Sequence, residues 1–254
     1  MDLRVSKRVW IETAVGVLVA ASTLVTPTAD AAPTANIAGM VVVIDPGHNG
    51  ANDASITRQV PTGRGGTKDC QTSGTTTNTG FPEHTFTWNT AQRVAARLSA
   101  LGVRTALTRS NDTGLGPCVD ARAAMENSVH PNAILSIHAD GGPPSGRGFH
   151  VNYSAPPLNQ VQAGPSVQYA RTMRDQLVAS GIPPSNYIAQ NGLYGRADLA
   201  GLNLAEYPSI LVECGNMKNA VDSSWMESPE GQEKYADALV RGVAAFLTSQ
   251  GQAR

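Results

Sequence analysis

The 254-residue sequence predicts an α/β fold: a mostly parallel sheet flanked by helices on both faces (an αβα sandwich), in a single domain. Three observations carry that expectation. Short runs of consecutive apolar, largely β-branched residues recur along the chain, as strands covered on both faces require. Segments with apolar residues at helical spacing alternate with them. No repeat or second domain is visible between about Met40 and Phe246.

The elements follow in order. Met40 to Ile44 is a continuous apolar run and reads as the first buried strand. Pro82 to Leu101 turns helical, with Phe86, Val94, Leu98 and Leu101 on one stripe and Gly102 as the stop. Val103–Thr108 reads as a strand, Val119–Val129 as a short helix, Ala133–His138 as another buried strand, and Phe149–Tyr153 as a further one. A helix is expected from Ser166 to Ser180, closed by Gly181, and the last strand at Ser209–Glu213. The final helix, about Pro229 to Thr248, sets Tyr235, Leu239, Gly242 and Phe246 on one face. Residues 49–80 break the rhythm. They are polar and rich in Gly, Thr and Asn, and read as an excursion loop with room for a hairpin, a kind of segment usually kept for function.

The N-terminus points to export. Arg4, Lys7 and Arg8 precede an uncharged apolar run, Ala14 to Val25, and small residues of A-x-A type end near Ala31. The apolar run is shorter than the ~20 residues of a membrane-spanning helix. Residues 1–31 are therefore expected to be a cleaved signal peptide and 32–254 one folded domain of roughly 220 residues, secreted or held in the periplasmic or cell-wall space. A formal net charge of −1 and the lack of any basic run argue against a nucleic-acid partner. No later segment is apolar enough to span a membrane, and no spare apolar stripe calls for a second copy, so a monomer is expected. In an exported chain Cys70 and Cys118, both in polar segments, are disulfide candidates, leaving Cys214 as a buried thiol. Three unpaired thiols are the alternative.

Three buried strands end in groups that can do chemistry. His48 lies just past the first, His138 ends another, and Glu213 ends the last. The carboxyl ends of parallel strands border one crevice, where ligands bind. Imidazole nitrogen suits zinc, and catalytic zinc takes three protein ligands and leaves one position open. A carboxylate at the inner end of a buried strand is costly unless paired or metal-bound, so Glu213 is the most informative of the three, with a buried ion pair as its alternative. Glu83 falls in the first turn of the Pro82 helix, where interaction with the helix dipole is the competing explanation. Its neighbour His84 points about 100° away around the helix, so only one of the two should face the crevice.

Four motifs in sequence, Ile44-Asp-Pro-Gly-His48-Asn-Gly, then Glu83, then Ser136-Ile-His138-Ala-Asp140, then Val212-Glu213-Cys-Gly-Asn216, resemble the zinc-dependent N-acetylmuramoyl-L-alanine amidases of the cell-division type. The segments Leu107–Asp112 and Arg122–Asn127 also look like that family, and the resemblance runs from about Met40 to Phe246. It implies a zinc ion (Zn²⁺) held by His48, Glu83 and His138, with Glu213 as catalytic glutamate. It implies hydrolysis of the amide bond between the lactyl group of N-acetylmuramic acid and L-alanine, in peptidoglycan fragments or muramyl peptides. Asn49 stands where the family often has Gly or another small residue, and Asp140 where it often has Asn; neither displaces a ligand. Rival readings are a zinc peptidase or polysaccharide deacetylase with the same metal chemistry, or a non-catalytic peptidoglycan-binding module. Residues 49–80, Arg64, Arg196 and Asn191–Leu202 are the candidate rim of the crevice.

Overall fold

The computed structural model describes residues 1–2 and 36–252; all but the first two residues of the expected signal peptide lie outside the described residues. Strand β1 (Val41–Pro46) starts the sheet. A small antiparallel hairpin, β2 (Gln59–Pro61) and β3 (Thr67–Asp69), stands apart from it. Next come α1 (Glu83–Ala100), β4 (Arg104–Leu107), α2 (Val119–Ser128), β5 (Ala133–Asp140) and β6 (His150–Ser154). The chain continues through α3 (Gln160–Ala163), α4 (Pro165–Ala179), β7 (Leu193–Arg196) and α5 (Ala200–Leu204). It closes with β8 (Ser209–Asn216), α6 (Ala220–Glu227) and α7 (Pro229–Gln252).

The six-stranded sheet runs β4-β1-β5-β8-β6-β7. The first four strands are mutually parallel; β6 pairs antiparallel with β8, and β7 parallel with β6. Alternation along each strand divides the faces. Val42, Ile44, Leu135, Ile137, Val151, Ile210 and Val212 point into one large core, where they meet Phe86, Leu98, Tyr169, Met173, Leu239 and Phe246 from α1, α4 and α7. The opposite face is polar towards its carboxyl end. Asp45, Ser136, His138, Glu213, His150 and Asn152 lie on it, above a small apolar patch of Val43, Ile134 and Ala205. The helices α2 and α5 and the hairpin lie over this side. Such a division lets one sheet carry both a dry core and a chemical site.

Helix boundaries have local causes. Pro165 opens α4 at its first turn, where a missing N–H costs nothing, and Gly181 follows it with φ +74. Gly102, φ +79, closes α1 as expected, but Leu101 falls on the C-cap and is 48% exposed, one residue past the buried stripe. Gly242 faces Met173 so closely that an added Cβ would lie 2.4 Å from its sulfur, which keeps α7 tight against α4.

Residues 49–80 are ordered by tertiary bonds and by a small apolar cluster in which Val60 and Cys70 pack with Cys118 and Val119. They hold a 3-10 turn at Ala54–Thr57 and the hairpin. Cys70 is bonded to Cys118 across 48 residues, and Cys214 is a buried free thiol. Backbone bonds from Cys70 N–H to Arg58 C=O and from Val119 N–H to Cys70 C=O continue the attachment. Closing a loop of that length removes unfolded-state entropy worth about 4 kcal/mol in the chain-entropy treatment. A Cys70→Ala/Cys118→Ala double variant should therefore unfold at clearly lower urea concentration, while reductant should shift the parent protein in the same direction. Coincident denaturation curves for variant and parent would contradict that role.

Candidate metal centre and active site

His48, Glu83 and His138 converge at the carboxyl end of the sheet. His48 Nε2 lies 3.0 Å from Glu83 Oε1, and His138 Nδ1 lies 3.1 Å from each of those two atoms. Each of the three atoms comes from a different element: the turn after β1, the first residue of α1, and β5. His48 sits at φ +65, a left-handed backbone uncommon outside glycine, at the point where the chain leaves β1. Gly47 before it has no freedom to change, because a Cβ there would lie 2.3–2.6 Å from the His138 ring. The two imidazoles meet edge to face, with centroids 4.8 Å apart.

The excursion segment supplies the supports. His48 Nδ1 donates to the Thr72 carbonyl at 2.9 Å, which leaves Nε2 with its lone pair towards Glu83. Glu83 accepts from Thr75 N–H at 2.9 Å through Oε2 and from Ala139 N–H at 3.0 Å through Oε1. Gly74, φ +76, lets this strand of chain pass: a Cβ there would come within 2.9 Å of Glu83 Oε2 and 3.0 Å of the His48 ring. His84 turns away, its Nδ1 2.9 Å from Asp112, so Glu83 alone of the pair faces the site.

These residues fit a zinc ion. Two imidazole nitrogens and one carboxylate oxygen are a donor set of catalytic zinc sites. Bonds of ~2.0–2.1 Å at tetrahedral angles put donor atoms about 3.3 Å apart, close to the 3.0–3.1 Å found. The His48 lone pair and a carboxylate oxygen face each other at 3.0 Å, an arrangement that needs a cation or a proton between them. Backbone groups hold the outer sides of His48 and Glu83, as second partners of metal ligands do. Burial opposes the charge on Glu83, but His48 and His138 outweigh it and hold its carboxyl well below the usual range.

Glu213 stands beside this triad, paired in register with His138 across β5 and β8. Burial, reinforced by Glu83 and Asp140, pushes its carboxyl well above the usual range, with Arg196 opposing. Its Oε2 is sealed from solvent without a hydrogen-bond partner. A cation held by the triad would counter the like charges that raise it.

Arg122 is the residue that sequence reasoning did not assign a role. It is 3% exposed and donates to Asp45 Oδ1, the carbonyls of Pro46, His48 and Pro117, and Asn49 Oδ1, at 2.6–3.1 Å. It thus pins the turn that carries His48. Asp45, buried, is held well below its ordinary value: desolvation works against its charge, but Arg122, Ser136 and Thr108 overcome it. Removing one partner of a buried pair costs about 3–5 kcal/mol, so Arg122→Met should lose that much stability in urea unfolding at neutral pH. A carboxyl with a depressed folded pKa contributes above its unfolded pKa, about 3.9, and stops contributing as pH falls through the folded value. The gap between parent and variant should therefore narrow below pH ~4, and a gap that widened on acidification would contradict the assignment.

The candidate rim residues divide. Arg64 is tied inward, donating to Asn203 Oδ1 and Ser154 Oγ at 3.0 Å and to the Pro156 carbonyl. Arg196 makes two hydrogen bonds to Asp198 and lies 5.0 Å over the Tyr194 ring. Residues 199–202 do border the crevice: with Lys68, Thr72, Ile134, Ser136 and Leu211 they line a cavity of about 120 Å³ that reaches His48 and His138.

Comparison with known proteins adds an independent line. Residues 42–245 match the family model described as N-acetylmuramoyl-L-alanine amidase. The chain is 75% identical over 240 residues to an N-acetylmuramoyl-L-alanine amidase of Mycobacterium tuberculosis, an alignment covering 94% of this chain and 99% of that one. The crystal structure of an N-acetylmuramyl-L-alanine amidase from Mycobacterium smegmatis is similar, with TM-score 0.84 and 72% identity, over 85% of this chain and 100% of that one. The apo form of the corresponding amidase from Mycobacterium abscessus gives TM-score 0.83 and 64% identity, over 83% and 100%.

Proposed function

The chain belongs to the N-acetylmuramoyl-L-alanine amidases, and from that premise we propose that it is a zinc hydrolase cutting the amide bond between the lactyl group of N-acetylmuramic acid and L-alanine in peptidoglycan. The observation that carries this reading is the convergence of His48, Glu83 and His138 within 3.0–3.1 Å of one another, with Glu213 paired beside His138. His48 Nε2, Glu83 Oε1 and His138 Nδ1 would hold the ion. When bound, zinc supplies Lewis-acid chemistry, polarising the scissile carbonyl and making water a competent nucleophile near neutral pH.

The protein's own residues do the rest. Glu213 is the general base: its carboxylate takes the proton of the attacking water. The same carboxyl then protonates the nitrogen of L-alanine as the C–N bond breaks, so the proton taken in the first step leaves with the amine. The Thr72 carbonyl and the Thr75 and Ala139 amides keep the ligand side chains in place throughout. Arg122 keeps the His48 turn closed. A small cavity between β3, α2 and α5 reaches His48 and His138 from below.

The leader at residues 1–31 supports export to the cell-wall space, where the substrate lies, with residues 32–254 as the working domain and a monomer as the working state. Among the described residues, no helix is long and apolar enough to cross a membrane.

Mass spectrometry of a muramyl-peptide digest tests the reading. Free stem peptide with an L-alanine amino terminus, together with unsubstituted muramic acid, is the expected product pair. Chelation should abolish it and zinc restore it. Cleavage within the peptide, or loss of acetyl groups, would replace the proposed reaction with another metal hydrolysis.

A further inference from the structure

The polar face of the sheet carries a side chain that the mechanism above does not use. His150, the first residue of β6, is 2% exposed and lies opposite Glu213 in the antiparallel β6–β8 register. Glu213 is thus flanked by His138 on one side and His150 on the other. Directly opposed residues have Cβ atoms about 4.5–5.5 Å apart.

Three buried polar atoms on this face have no partner: His150 Nδ1, Glu213 Oε2 and Asn152 Oδ1. The Asn152 amide nitrogen already donates to the Leu211 carbonyl, at 3.3 Å, which fixes its oxygen as the unpaired end. Burial, reinforced by Arg196, pushes His150 down to about 4, with Asp140 opposing, so the ring is neutral near pH 7 and has one N–H and one lone pair. With Glu213 opposite it acting as an ionised general base, and therefore as an acceptor, we assign Nδ1 as the N–H nitrogen. The ring is braced edge-on against Tyr194, centroids 6.0 Å apart. Leaving such atoms unsatisfied is costly. A water bridging opposed side chains removes that cost with near-direct hydrogen-bond strength.

We propose that His150 is a positioning residue for the amidase reaction: its Nδ1–H, through one shared water, holds Glu213 Oε2, so that the other carboxyl oxygen stays turned to the crevice. Only Oε2 of Glu213 is sealed and unpaired, while the residue as a whole is partly exposed, so its two oxygens have different surroundings. A general base that must take a proton from water and return it to an amine gains from having one oxygen tethered and the other free. The inference rests on the assignment of Glu213 as that base.

The test compares parent, His150→Leu and His150→Gln in zinc-loaded form. His150→Leu should lose about 10–100-fold in kcat, the range for outer partners of site residues, with KM within about twofold and unchanged zinc content. His150→Gln, which restores an N–H donor, should recover most of kcat. Imidazole ¹⁵N NMR of the zinc-loaded parent should show His150 protonated at Nδ1, and that signal should move in Glu213→Gln. Unchanged kcat in His150→Leu, equal losses in Leu and Gln variants, or an Nε2-protonated ring would each overturn the proposal. An inactive parent enzyme would end the underlying reading as well, whereas an active parent with an equally active His150→Leu ends only this inference.

Discussion

Glu213→Gln should bind zinc with the parent's stoichiometry and yet lose about 10²–10⁴-fold in kcat, the range expected when a general acid–base group is removed. The substitution keeps the size and hydrogen-bonding capacity of the side chain but takes away the site that accepts the proton. Burial makes the charged parent side chain costly, so the neutral amide should fold at least as stably as the carboxylate. Stability and activity should therefore separate: denaturation midpoint equal or higher, turnover nearly gone. Turnover within a few-fold of the parent would remove Glu213 from the mechanism.

His138→Ala should fail in the opposite way, losing the metal along with the activity. The proposed site uses three donors spaced 3.0–3.1 Å apart, and two cannot replace three in a tetrahedral centre that must also hold substrate. A ligand that binds only the folded state stabilises it, by about 4 kcal/mol when present at 1,000 times its dissociation constant. Added zinc should thus raise the thermal midpoint of the parent and leave that of His138→Ala where it was. Unchanged zinc content by elemental analysis would show that His138 is not a ligand.

How much of this was legible in the sequence depended on whether a residue's role lay in its own segment. His48, His138 and Glu213 stand out because each ends a buried apolar run, where a polar side chain needs a reason. Their strands are found within two or three residues of the expected bounds. Glu83 was different. A glutamate in the first turn of a helix is ordinary, and only the family resemblance singled it out. His84, next to it, carried the same local signal and turns out to bind Asp112 instead.

The rest depended on contacts distant in sequence. Residues 49–80 read as polar loop, yet Thr72 and Thr75 supply the carbonyl and the amide that orient His48 and Glu83, and backbone groups leave no residue-type signature. Arg122 looked like one charge on a short helix, and its five acceptors lie as far as 77 residues away in sequence. β7 and α5, of four and five residues, are too short to show a period and are held by their neighbours. His150 sat inside an expected strand, and only the pairing of β6 with β8 shows that it opposes Glu213.

The central claim is that three named atoms hold one zinc ion with Glu213 outside the coordination sphere. Diffraction from crystals of the zinc-loaded protein, recorded on both sides of the zinc absorption edge, tests it most directly. One anomalous peak is predicted, about 2.0–2.2 Å from His48 Nε2, Glu83 Oε1 and His138 Nδ1, with Glu213 nearby but not bonded to it. A peak coordinated by Glu213 in place of one of these ligands, or full zinc occupancy elsewhere with this triad bare, would contradict the account.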